Sequence, residues 1–116
     1  MVLISENKLV EKKSKFYTEL HSISSEEELK KTINEFSKKH SKATHICQAF
    51  IIRGEKGFKN DGEVGSPGRV LLSILENNNL ENNLLITARY FGGIKLGPSG
   101  VARAFRKSGK ECINKL

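Results

Sequence analysis

The chain predicts an α+β fold: a two-layer α/β sandwich in which a mixed sheet carries its helices on one face. Three observations predict it. The apolar pattern runs β, β, α, β, α, β, α along the chain. Its 116 residues fit one domain, expected to span 1–116, and the 37% apolar content supplies one modest core. Strands and helices in that order bury their apolar faces best as two packed layers.

The segment Met1 to Ile23 reads as two strands. Phe16, Thr18, Leu20 and Ser22 alternate with Tyr17, Glu19, His21 and Ile23, and Lys12 and Lys13 fall near the connection. Ser24 is expected to start a helix, with Glu27 as its capping-box partner. Leu29, Ile33 and Phe36 give that helix one apolar stripe, Lys30, Lys31, Lys38 and Lys39 lie off it, and it ends near His40. Ile46 to Arg53 is rich in apolar and β-branched residues and reads as a strand. Gly54 to Gly68 holds glycines, acids and a proline and reads as a loop. Val70, Leu71, Ile74 and Leu75 mark a short buried helix, Asn77 to Asn83 a turn, and Leu84 to Tyr90 a strand. Phe91 to Ser99 is a glycine-rich turn, and Gly100 to Leu116 a helix with Val101, Phe105, Cys112, Ile113 and Leu116 inward.

Composition excludes some classes. No apolar run approaches the roughly 20 residues of a membrane-spanning helix, and Glu6 and Lys8 interrupt the apolar start that a signal peptide would need. A cytoplasmic location is expected, with no membrane partner. Two cysteines, Cys47 and Cys112, fit reduced thiols in or near the core better than a disulfide framework. The formal charge of +7 favours acidic partners such as RNA, DNA or a ribosomal surface, or else describes a solvated basic surface.

Four groups of residues are candidates for chemistry. The first is Ala88 to Gly100, where a strand ends, Gly92 and Gly93 turn, and a helix opens after Gly97 and Ser99. Glycines let a partner approach the backbone, and a helix start offers unpaired N–H groups, which together suit an anion. Arg89 and Lys95 add charge. The turn lacks both the P-loop ending and the dinucleotide spacing, so a purely structural turn is the alternative. The second is the loop Asn60 to Arg69, whose Asp61 and Glu63 can serve as acid and base or bond to loop N–H groups. The third is His45 with Cys47, on one face of a strand, without the further ligands that zinc requires. The fourth is Arg103, Arg106, Lys107 and Lys110, at i, i+3, i+4 and i+7, one basic stripe suited to a phosphate backbone.

Taken together these residues resemble the IMPACT/YigZ family, in its N-terminal domain. The matches are Lys13-Ser14-Lys15-Phe16, Ala43-Thr44-His45-Ile46-Cys47, Asp61-Gly62-Glu63 with Gly68-Arg69, and Ala88 to Gly97. The chain departs from the family where Asn60 stands for a usual aspartate and Val64 for a usual proline, and its loop is shorter. Bacterial members usually add a ferredoxin-like domain and eukaryotic members an RWD domain, and the resemblance covers neither. It implies a ribosomal-protein-S5 domain-2-like fold and a link to translation and to the amino-acid-starvation stress response, through ribosomes and protein partners.

The leading expectation is therefore a module that binds RNA or the ribosome, using the glycine turn and the cations around it. A small enzyme or phosphorylated-ligand-binding protein is the alternative, with His45, Cys47, Asp61, Glu63 and Arg69 forming a pocket beside the turn. A protein-interaction module in translational control is the third. A non-enzymatic role is favoured, and neither a cofactor nor a metal is expected.

Overall fold

A computed structural model describes residues 2–116; Met1, where the first strand was expected to start, lies outside them. The elements run β1 (Val2–Glu11), β2 (Ser14–Ser22), α1 (Glu26–Lys39), β3 (His45–Ile52), β4 (Glu55–Lys59), α2 (Pro67–Asn77), β5 (Asn83–Tyr90) and α3 (Gly97–Ile113). The strands form one sheet in the order β1-β2-β5-β3-β4.

Two hairpins frame the sheet. Lys12 and Lys13 turn β1 into β2, both with left-handed backbone, and Arg53 and Gly54 do the same between β3 and β4. Two-residue hairpins favour such turns because their twist matches the strands. β5 then inserts between β2 and β3 and pairs antiparallel with both. Every pairing is antiparallel, so the expected mixed sheet is corrected.

The helices do not share one face, which is the second correction. α2 and α3 cover one side, where Val70, Leu71, Leu75, Val101 and Phe105 pack with Phe16, Leu20 and Leu85. α1 covers the other side, where Leu29 and Phe36 pack with Leu84, Ile86 and Ala88. The cause is the central strand. Leu84, Leu85 and Ile86 are apolar on consecutive positions, so both faces of β5 need cover.

Three local expectations also change. β4 lies inside the segment read as a loop; it is a short edge strand of mostly exposed polar residues, which leaves little apolar signal. The cap of α1 is Ser25, whose hydroxyl accepts from Glu28 N at 3.1 Å, while Glu28 accepts from Ser24 Oγ at 2.8 Å. The capping pair thus sits one residue later than Ser24 and Glu27. Leu116 is exposed rather than inward, beyond the end of α3.

A buried polar rung ties α3 to the sheet. Thr18 Oγ1 lies 2.8 Å from Thr87 Oγ1 and 2.7 Å from Ser108 Oγ. Cys47 and Cys112 are both buried free thiols.

Candidate functional site

The sheet register assembles the site. Phe16, Arg89 and His45 lie side by side on three neighbouring strands, and Thr18, Thr87 and Cys47 form the next row on the same face. The segment from Asn60 to Gly65 lies over that end of the face. Asn60 Oδ1 accepts from Gly68 N at 2.8 Å and so caps α2, whose own N-cap residue, Ser66, makes no side-chain cap bond. Asp61 accepts from Ile46 N at 2.7 Å through its carboxylate and faces His45 Nδ1 at 2.8 Å through its carbonyl.

Glu63 is the hub. Its side chain is 4% exposed. One oxygen accepts from Val64 N at 3.0 Å, and the other from Arg89 Nη1 at 2.9 Å. His45 Nε2 stands 3.8 Å from that second oxygen. Arg89 is itself 5% exposed, with Nη2 3.4 Å from Ser14 Oγ and its guanidinium against the rings of Phe16 and Phe91. The Cys47 thiol sits 3.2 Å from the Asn60 carbonyl. Burial, and after it the carboxylates of Glu63 and Asp61, push that thiol far above its ordinary range, so it is a poor nucleophile.

The structure brings His45, Cys47, Asp61 and Glu63 of the expected pocket together with Arg89, and answers the acids with backbone and guanidinium donors. Arg69 stands apart, exposed, with its guanidinium over the Phe58 ring at 5.0 Å. Among the described residues no cluster of three or more His, Cys, Asp or Glu side chains is arranged to hold a metal ion. None of the helices is long and apolar enough to cross a membrane, among the same residues.

The glycine turn closes the other wall. Gly92 lies against the Lys13 carbonyl, where a Cβ would overlap backbone, and its N–H donates to Ser14 Oγ at 3.2 Å. Phe91 N donates to Thr44 Oγ1 at 3.0 Å. Gly65, at φ +81, packs on the Pro98 carbonyl and docks the acidic loop on the first turn of α3. Between loop and turn lies an open pocket of about 390 Å³, lined by His45, Arg89, Lys95, Gly97 and the apolar Val64 and Phe91 among others. Lys95 and Gly97 in its lining are exposed, as are Gly93 and Ser99 of the turn, but Arg89 is occupied by Glu63 and offers the turn no free charge.

The basic stripe stands clear of this lattice. Arg103, Arg106, Lys107 and Lys110 are all exposed on α3, and Lys107 alone has an acidic neighbour, Glu11 at 3.9 Å, among the described residues. Sequence reasoning missed the roles of Asn60, Ser14 and Thr44. Ser14 and Thr44 have partners remote in the chain, and Asn60 caps α2 from six residues before Ser66 instead of from the N-cap position, so no usual local signal marks them.

Known proteins resemble this chain in sequence and fold. The Impact N-terminal domain family model matches residues 12–113. The IMPACT family member YvyE of Bacillus subtilis is 38% identical over 116 residues, covering 96% of this chain and 53% of that protein. YigZ of Escherichia coli is 29% identical over 90% of this chain and 54% of its own length, and Protein IMPACT of Oryctolagus cuniculus 33% identical over 78% and 31%. The chain thus spans about half the length of its bacterial relatives. Among solved structures, a hypothetical protein superposes with a TM-score of 0.88 at 28% identity, over 99% of this chain and 60% of that one. The two-domain translational regulator Yih1 shares the fold at a TM-score of 0.61 and 20% identity, over 97% and 46%. Motifs, register and family model agree: the chain belongs to the IMPACT family and corresponds to its N-terminal domain.

Proposed function

We propose that this chain is a phosphate-backbone-binding module that acts on RNA or the ribosome in translational control. The observation that carries the reading is the α3 stripe: four exposed cations on one helical face, of which Lys107 alone pairs with an acid, Glu11 at 3.9 Å, among the described residues. Cations left without internal partners keep their full attraction for polyanions. The stripe begins about one helical turn beyond the glycine turn, where Lys95 extends the same charge. The translational regulator that shares the fold adds support for the setting, and ribosome or protein contact fits it equally.

A fluorescent single-stranded RNA titrated at several salt concentrations tests the reading. Affinity should fall steeply with salt, with about 0.7 in log–log slope for each phosphate contacted. The Arg103→Ala/Arg106→Ala/Lys107→Ala variant should bind weakly and flatten the slope by about 2. Absence of binding at low salt, or binding indifferent to salt, sinks the reading.

A second reading has its own observation. Val64, Phe91 and Ile94 are 48%, 47% and 42% exposed at the glycine turn. Three large apolar side chains in one exposed neighbourhood suit a protein contact. A Phe91→Ser/Ile94→Ser variant that loses a protein partner while keeping RNA affinity would favour it.

A further inference from the structure

The other face of the sheet carries a second pocket, of about 530 Å³, at the same end of the strands. Its position follows from the register. Lys15 pairs with Tyr90 and Tyr17 with Ala88, so Lys15, Tyr17 and Tyr90 project on the side that α1 covers. Lys39 and His40, at the end of α1, close one wall, and Lys13 and Phe91 close the other. Gly92, seated on the Lys13 carbonyl, fixes the hairpin turn against the glycine turn and so sets the pocket's mouth.

Two features separate this pocket from a solvated basic surface. The first is His40, which is 7% exposed. Its Nδ1 lies 2.7 Å from Tyr90 Oη, and its Nε2 is buried without a hydrogen-bond partner. That nitrogen is closed to solvent, so the ring, fixed by Tyr90, serves as a rigid wall of the pocket. The second is the pairing of cations with rings. Lys13 and Lys15 have no acidic partner among the described residues, while Lys39 is held by Glu19. Tyr17, Tyr90 and His40 pack edge-on or tilted on one another, with centroids 5.3 to 5.8 Å apart. Aromatic rings beside unpaired lysines accept a flat base and its phosphate together. The volume lies within the range of small-ligand pockets.

We propose that this α1-side pocket is a nucleotide site, taking one base against the two tyrosines and its phosphate on Lys13 and Lys15. The His40 ring, held by Tyr90, backs the site. The nucleotide is either free or an unpaired position of an RNA strand; the inference deepens the RNA reading above and rests on it for the second source. The site is distinct from the α3 stripe, which lies on the opposite side of the sheet.

The composition provides the probe. The chain has two tyrosines, Tyr17 and Tyr90, and both line this pocket. In the 3-fluorotyrosine-labelled 116-residue chain, both ¹⁹F resonances report on it. AMP should shift both resonances and saturate. A Lys13→Asn/Lys15→Ala variant should weaken that binding at least tenfold; Asn tolerates the left-handed backbone at position 13. Oligo(A) acting at lower concentration than AMP assigns the pocket to an RNA strand, and the reverse order assigns it to a free nucleotide. Still resonances with both ligands at about 1 mM overturn the proposal. So do inorganic phosphate reproducing the AMP shifts, and shifts that survive the lysine changes unaltered. The Arg103→Ala/Arg106→Ala/Lys107→Ala variant separates the two claims. If it loses RNA binding while neither ligand moves the tyrosines of the parent chain, the stripe stands and the pocket falls. If AMP moves the tyrosines but RNA binds nowhere, the pocket stands and the stripe falls.

Discussion

Two charged regions meet at the glycine turn. In the segment Asn60 to Gly65, the carboxylates of Asp61 and Glu63 accept from Ile46 N, Val64 N and Arg89. On α3, Arg103, Arg106 and Lys110 have no acidic partner among the described residues. Both regions drew attention in the sequence for their charge. The difference teaches that charge marks a site only where the fold leaves it unanswered. The loop's charges hold the structure together, and the stripe's face outward.

Removing Arg89 should have the largest effect on the loop. Glu63 would then be left in a nearly closed site without its guanidinium. Arg89→Ala should cost about 3–5 kcal/mol, read as a lower urea midpoint, because a buried charge that loses its partner keeps its desolvation penalty. Arg89→Met/Glu63→Leu should recover much of that loss. Equal losses in the two variants would mean that Arg89 acts by shape and not by charge.

Gly65 tests the join between the two regions. Its left-handed backbone and its contact with the Pro98 carbonyl leave no room for a side chain. Gly65→Ala should lower stability by about 2 kcal/mol and shift the thermal midpoint accordingly. A neutral result would mean that the loop is not docked on α3.

Glu19 stands between the extremes, a buried carboxylate held by His21 at 2.7 Å and by the exposed Lys39. Burial raises its pKa, but the bonds from His21 and Lys39 outweigh it and bring the value down to about 2. A carboxylate depressed below its unfolded value of about 4.3 stabilises the fold above that pH and ceases to as the pH falls towards 2. Glu19→Gln should therefore cost about 1 kcal/mol at pH 6, with the exposed lysine limiting the gain. The difference between variant and parent should shrink through pH 4 and vanish near pH 2, as read by urea midpoints. A pH-independent difference would assign the loss to packing.

The smallest expected effect completes the contrast. Arg103→Ala/Arg106→Ala/Lys107→Ala should change stability by about 0.5 kcal/mol or less per site, because exposed charges contribute little to folding. A large loss on denaturation would show that the stripe, like the loop, is structural.

Much of the fold was legible because its signals are local. The apolar stripe of α1, the buried run of α2 and the alternation in β2 are periodic within a few residues, and the family motifs lie in contiguous stretches. β4 escaped because an edge strand of Glu, Lys and Gly buries too little to leave a pattern. The side of the sheet taken by α1 escaped because an amphipathic stripe says that a helix must be covered and not by which face. At the candidate site, the residue types were readable and their states were not. Arg89 read as a cation for a ligand and is occupied by Glu63; His40 read only as the end of a helix and carries an unpaired nitrogen.

The sequence by itself determined the α+β class, nearly all of the elements, the family and the cation stripe, because periodicity and helical spacing act within one element. Tertiary structure alone decided which charges are free. Whether Glu63 meets Arg89, or Lys15 meets no acid among the described residues, depends on three strands in register and a loop folded across them. Those contacts join residues far apart in the chain, and their strength is set by burial, which no local stretch of sequence encodes.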